Sequence, residues 1–269
     1  MEPTLRAAHN EGVATVTIDH PAKRNAMTPA MWRRLPVLLD RLAADPAVRV
    51  LVLTGADGTF CAGADIGALR ETAQDRTQED GEAGGGSGGD SAREQQSLAV
   101  AAEEALAAFP KPTLAAVRGH CVGGGCQLAA ACDLRFAAHD ALFGITPAKL
   151  GIVYPASSTE RLVRLVGPAT AKFLLFSGEL VDAGRALRTG LVDEVLPENE
   201  LDTSVAAFAR TLTARSALTQ AAAKEFADGR TGPDRVEHWQ RESADGGEAA
   251  EGVAAFLERR APRFGWPRS

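Results

Sequence analysis

With 269 residues, 45% of them hydrophobic, the chain can bury a full core, as one large domain or as one domain with a small satellite. A formal net charge of −6 and a pI of about 5.5 offer no broad attraction to phosphate backbones or anionic lipid, so neither nucleic acid nor a membrane surface is expected as a partner. No apolar run approaches the ~20 residues of a membrane span, and Met1-Glu2 opens no signal-peptide pattern, so a cytoplasmic location is expected. Cys61, Cys121, Cys126 and Cys132 lie in small-residue or apolar surroundings without paired CxxC spacing; they read as reduced packing thiols, and no metal is implied.

In chain order, Leu5 to Ala8 and Val13 to Ile18 flank Asn10-Glu11-Gly12 and predict a β-hairpin. His20 to Met27 reads as a loop. Thr28-Pro29 then supplies an N-cap with proline at the first helical position, and a helix is expected to about Ala44. Its apolar positions are Met31, Leu35, Val37, Leu38 and Leu42, with Pro36 interrupting the pattern at a place for a kink. Val48 to Thr54 is a nearly unbroken apolar run, the mark of a strand buried on both faces, which sets the class as α/β.

Gly55 to Ile66 is a turn rich in small residues, placed before a short helix expected around Ile66 to Arg70. Glu71 to Ser91 is almost devoid of apolar residues and reads as a flexible insert. A helix follows from about Ala92 to Ala108. Thr113 to Val117 is another strand, Arg118 to His120 a turn, and Gly123, Gly124 and Gly125 open a helix of small residues. There the first backbone N–H groups lack intrahelical acceptors and the dipole is positive. Alone, such a glycine run speaks more for close helix packing than for a site. Leu134 to Ala137 and Ala141 to Gly144 are extended, Ile145 to Pro155 is rich in turns, and helices span Ser157 to Leu165, Pro168 to Phe176 and Ala183 to Arg188, with a last short strand at Leu191 to Val195. From Leu201 the chain is expected to be helical, with residues 1–200 forming the core domain and 201–269 a C-terminal subdomain.

Both small-residue turns follow a buried strand, and they could converge on one atom. Together with Phe60-Cys-Ala-Gly-Ala-Asp-Ile66, Val122-Gly-Gly-Gly-Cys-Gln-Leu128, Phe143-Gly-Ile-Thr-Pro-Ala-Lys-Leu-Gly151 and the leading Pro21-Ala-Lys-Arg-Asn-Ala26 loop, the chain closely resembles the crotonase, or enoyl-CoA hydratase/isomerase, superfamily. The resemblance implies an α/β spiral of ββα units with a helical C-terminal region used for trimerisation, trimers often pairing into hexamers. It implies an acyl-CoA substrate, with coenzyme A part of the substrate and no separate cofactor. The thioester oxygen would be held by the backbone N–H groups of Ala64 and Gly124, preorganised donors of the kind an enolate requires. Lys23, Arg24, Ala26, Ala62, Asp65 and Ile66 correspond to the surface that binds the nucleotide end; Asp65 is also explained as a helix cap.

The chain departs from the hydratase pattern where the family carries two glutamates: those positions are Gln127 and Pro147. An amide can hold a water but cannot exchange a proton with it near neutral pH, and proline offers no functional group, so standard two-glutamate hydration is not expected. The segment Thr146 to Tyr154 resembles that of the superfamily's methylmalonyl-CoA decarboxylases, which makes Tyr154 a candidate beside the acyl group. Those enzymes place histidine where Ala64 stands here. A third reading is a catalytically silent acyl-CoA-binding trimer. His120 reads as a loop-orienting residue, and Glu160 as a first-turn charge.

Overall fold

The structure, a computed structural model, describes residues 2–65, 67 and 87–266. The helix expected around Ile66 to Arg70 and most of the Glu71 to Ser91 insert lie outside the described residues.

Strands β1 (Thr4–Asn10) and β2 (Val13–Asp19) form the expected antiparallel hairpin, turning at Glu11 and Gly12, both at positive φ. A one-turn 3-10 helix, Pro21–Lys23, leads to α1 (Pro29–Ala44), whose first turn is capped by the Thr28 hydroxyl accepting from the Met31 N–H at 3.3 Å. Helix α1 runs unbroken through Pro36. Its buried face is Met31, Trp32, Leu35, Leu38, Leu39 and Leu42, whereas Val37 is 69% exposed.

Strand β3 (Val50–Gly55) is buried on both faces, and α2 spans Ser87–Ala107. Helix α2 starts at Ser87, inside the segment expected to be loop. Weak helix formers cost least at a terminus, where an established helix needs only to be extended. Then come β4 (Thr113–Val117), β5 (His120–Val122), α3 (Gly124–Ala131), β6 (Leu134–Ala138), β7 (Leu142–Gly144) and the single turn α4 (Pro147–Leu150). His120, read as the end of a turn, opens β5 and pairs with Leu142. Helix α5 (Ala156–Ser177) is two helical pieces meeting at Gly167, whose φ of 75° and ψ of 162° break the helix where the sequence predicted a stop. Strand β8 (Val181–Asp182), α6 (Ala183–Arg188) and β9 (Glu194–Leu196) complete the sheets, and α7 (Leu201–Thr213), α8 (Ala217–Ala227), α9 (Pro233–Gly246) and α10 (Glu248–Glu258) form the C-terminal region.

Six strands make one sheet in the order β1-β2-β3-β4-β6-β9, parallel except for the β1–β2 hairpin, and β5-β7-β8 make a second. Twice in succession the chain lays one strand in the large sheet and the next in the small one before a helix: β4, β5, α3 and then β6, β7, α4. These are ββα units. Leu51 and Leu53 face the main core with α1, α2 and α3, whereas Val50 and Val52 face a second cluster closed by Leu201, Val205 and Ala209 of α7. Both faces of β3 are thus covered, which explains its unalternated sequence.

Helix α9 buries none of its residues and is latched to α8 through Glu225, which accepts from Arg235 at 2.5 and 2.8 Å and from the Trp239 indole at 2.7 Å. On α10, Val253, Phe256 and Leu257 are 61%, 83% and 74% exposed.

Candidate active site

Asn25 pins the loop that runs into the second turn. At φ +57° it sits in the left-handed region, its side-chain amide donates to the Ala56 and Thr59 carbonyls at 2.8 and 2.6 Å, and its Oδ1 accepts from the His20 N–H at 2.9 Å. The loop so pinned brings Met27 against the second turn: the Met27 N–H donates to the Gly63 carbonyl at 2.8 Å and the Asp65 N–H donates to the Met27 carbonyl at 2.9 Å. Ala64 is the residue between those two bonds, in a single parallel bridge with Met27. Its own N–H is therefore left out of the pairing.

The first turn is held from the other side. Gly123 adopts φ 55°, ψ −119°, a conformation open to glycine, and its N–H donates to the Gly144 carbonyl at 2.8 Å. Gly124 then begins α3, where no residue four back lies within the helix to accept its N–H. A Cβ on Gly63 would stand 3.0 Å from the Val122 carbonyl oxygen and 3.3 Å from the Gly124 nitrogen, so the two turns abut without side chains between them. Among the described residues neither the Ala64 N–H nor the Gly124 N–H has an acceptor.

The glycines divide their work. A Cβ on Gly125 would lie 2.2 Å from the Cys61 carbonyl oxygen, so Gly125 serves helix packing. Gly124 packs against Trp32, the indole standing 3.0 Å from the Cβ position. The four cysteines are buried free thiols; burial pushes Cys61 and Cys132 up to about 12, so these two pack as neutral groups.

Gln127 lies on the buried side of α3 and reaches across to α2 and α5. Its Nε2 donates to Glu103 and, at 2.9 Å, to the Ser158 hydroxyl. Ser158 donates to the same Glu103 oxygen at 2.5 Å, and Arg161 donates to the other, while its second arm meets Glu104 at 3.1 Å. Burial pushes the Glu103 carboxyl up, against the pull of those donors. This cluster was not foreseen. The available signal was a glutamate on the apolar stripe formed by Ala99, Ala102 and Leu106.

Tyr154 is half-buried against the main core, and burial pushes its phenol well above its ordinary value, with Cys126 and Glu103 adding to the rise. Its hydroxyl has no hydrogen-bond partner among the described residues, so a backbone tether does not explain it.

Lys23, Arg24, Ala26, Ala62 and Asp65 come together at one edge of the site. The Ala62 N–H donates to the Arg24 carbonyl at 2.9 Å, and the Lys23 ammonium meets both Asp65 oxygens at 2.9 and 2.8 Å. Asp65 also accepts from the Gly67 N–H at 3.0 Å. Lys23 is thus ion-paired, and Arg24 is exposed with its backbone at φ 51°. Ile66 lies outside the described residues. Pro147 is the first residue of α4, and Glu160 is exposed on α5. A concavity of about 720 Å³ between α2, α5 and α8, lined by Arg164, Lys224 and Arg230, is formed by other residues than the two turns. None of the described helices is long and apolar enough to cross a membrane.

The sequence and the fold both have close counterparts among known proteins. The family model described as enoyl-CoA hydratase/isomerase matches residues 8–266. The crotonyl-CoA hydratase of Syntrophomonas wolfei is 33% identical, with 94% of this chain and 95% of that protein covered. The 2,3-dehydroadipyl-CoA hydratase of Escherichia coli is 32% identical, with 97% and 98% covered. A solved enoyl-CoA hydratase/isomerase family member superposes with a TM-score of 0.85 at 37% identity over 100% of both chains, and the enoyl-CoA hydratase of Bacillus anthracis with 0.85 at 28% identity over 97% and 98%. The chain belongs to the enoyl-CoA hydratase/isomerase, or crotonase, superfamily of enzymes.

Proposed function

We propose that the chain acts on an acyl-CoA thioester by stabilising an enolate-like intermediate with the N–H groups of Ala64 and Gly124. The observation that carries this reading is the pair of abutting turns, each delivering a backbone N–H without a protein acceptor. Charge that develops on a thioester oxygen between such donors meets dipoles already in position, and loss of one donor of this kind weakens the transition state by about 3 kcal/mol. The glycine backbone at Gly123 and Gly124 lets the thioester approach the first turn of α3. Arg24 and Lys23 stand at the edge suited to the nucleotide phosphates, Lys23 sharing its charge with Asp65. The exposed Val253, Phe256 and Leu257 supply an apolar face for a homotrimer, which can pair into a hexamer.

Hydration by a glutamate pair is not part of the reading, because Gln127 and Pro147 occupy those positions. Crotonyl-CoA hydration is the test: turnover well below that of a hydratase carrying both glutamates is expected, and equal turnover contradicts the assignment. Tight acyl-CoA binding without turnover across a broad substrate panel would instead favour a silent binding trimer. A second reading rests on the unpartnered Tyr154 hydroxyl. Decarboxylation of a 2-carboxyacyl-CoA generates the enolate directly and needs no base. Release of CO₂ from methylmalonyl-CoA, reduced in Tyr154→Phe, is its signature.

A further inference from the structure

Asp65 puts a carboxylate next to the Ala64 donor. Its side chain is 6% exposed, and its Cα follows that of Ala64 at the ~3.8 Å spacing of a trans peptide. The carboxylate has structural work there. It accepts from the Gly67 N–H at 3.0 Å, while the backbone N–H of the same residue is tied to the Met27 carbonyl. Beside a developing oxyanion it is nonetheless the wrong charge. A full negative charge within about 10 Å opposes enolate formation on the thioester, and it does so more strongly where protein replaces water.

Lys23 offsets that charge. Its ammonium donates to both Asp65 oxygens at 2.9 and 2.8 Å. It reaches Asp65 from the one-turn helix Pro21–Lys23, and the residue after it, Arg24, accepts from the Ala62 N–H. The loop that is tied to the turn by backbone bonds at Ala62, Gly63 and Asp65 therefore also delivers a cation to the carboxylate at the turn's end. The pair is fitted over bare backbone: a Cβ on Gly67 would stand 3.1 Å from Lys23 Nζ and 3.2 Å from Asp65 Oδ1.

We propose that Lys23 is a positioning residue: acting through Asp65, it holds the turn and cancels the negative charge beside the Ala64 N–H, so that enolate charge can form there. It thus serves the thioester end of the site, and the phosphate edge narrows to the exposed Arg24. The proposal rests on the acyl-CoA reading above and deepens it.

Acetoacetyl-CoA is the probe, because its enolate spreads charge onto the thioester oxygen and absorbs in the near ultraviolet. The enolate-to-keto ratio of the saturated complex, at one pH, is compared in the wild type, Lys23→Met, Asp65→Asn and the double variant. The first single variant makes the surroundings of the donor more negative by one charge, the second more positive by one, and the double variant restores the balance. The ratio is expected to fall about tenfold in Lys23→Met, to rise in Asp65→Asn, and to return to within about threefold of the wild type in the double variant. A phosphate contact would instead weaken binding in Lys23→Met and leave the ratio of the saturated complex unchanged. A purely structural pair would lower the ratio in Asp65→Asn as well, since the pair is broken there too. Either result overturns the proposal. Asp65→Asn carries the test if Lys23→Met does not fold, and no rise in that variant likewise overturns the proposal. Failure of acetoacetyl-CoA to bind the wild type at all is a different outcome, which overturns the acyl-CoA reading and the proposal with it.

Discussion

The indole edge of Trp32, which is fully buried, stands 3.0 Å from the position a Cβ on Gly124 would occupy. Gly124 has an ordinary helical φ, so space, not backbone conformation, dictates glycine there. Gly124→Ala should therefore fold with a loss of about 1–3 kcal/mol as Trp32 shifts. Its turnover should fall by about 10²-fold or more, because the donor at Gly124 is displaced. Thermal melts and initial rates on the same preparation separate the two effects.

Gly125 makes the contrasting case. A methyl group there meets the Cys61 carbonyl at 2.2 Å and the Cys61 Cβ at 2.8 Å, both in rigid surroundings. Gly125→Ala is expected to lose the fold, seen as loss of a cooperative melt. A well-folded, inactive Gly125→Ala would mean that the packing role has been misassigned.

Gln127→Glu is not expected to create a hydratase. The new carboxyl would face Glu103 across the present hydrogen bond, and two carboxyls at that separation share a proton. Crotonyl-CoA hydration should stay within about tenfold of the wild type, short of the 10²–10⁴ that a working acid/base group supplies. The double variant Glu103→Gln, Gln127→Glu should exceed the single one, and the pH–rate profiles of the two report the coupling.

Two carboxyls move stability in opposite directions with pH. Burial raises Glu103 above its ordinary 4.5, so the folded state holds that proton more tightly than the unfolded chain. The contribution is favourable below pH 4.5 and is lost as pH rises through the raised value. Glu225 is held down at about 2, chiefly by the hydrogen bonds from Arg235, so its contribution is present above pH 4.5 and is lost as pH falls toward 2. Urea titrations across pH should show Glu103→Gln flattening the neutral side of the profile and Glu225→Gln the acid side.

Phe256 is 83% exposed on α10 beside Leu257 and Val253. If that face joins copies of the chain, Phe256→Glu should convert the assembly to monomers while leaving the melt of the α/β core cooperative. Sedimentation velocity of the wild type and the variant measures this directly.

Much of the framework was legible because its signals are local. Thr113 to Val117 was found to the residue, an apolar run bounded by Pro112 and Gly119. The break at Gly167 followed from a glycine before a proline. Helix α1 was recognised, but its buried face was not fully assigned: Trp32 and Leu39 widen the stripe, and Val37, adjacent to Pro36, falls outside it. The start of α2 was missed because Ser87-Gly-Gly-Asp90 has loop composition, which a helix terminus tolerates. In the candidate site, the motifs single out Ala64, Gly124 and Gln127, since each lies at a fixed offset within one segment. Glu103 and Ser158 escaped notice for the opposite reason. They come from α2 and α5, and only the fold brings them to Gln127.

The most direct test of the account is the structure of the chain bound to butyryl-CoA. The thioester oxygen is expected within about 2.7–3.1 Å of both the Ala64 and the Gly124 nitrogens. A thioester bound elsewhere, or an oxygen that meets neither N–H group, would contradict the assignment of these two turns as the reacting centre.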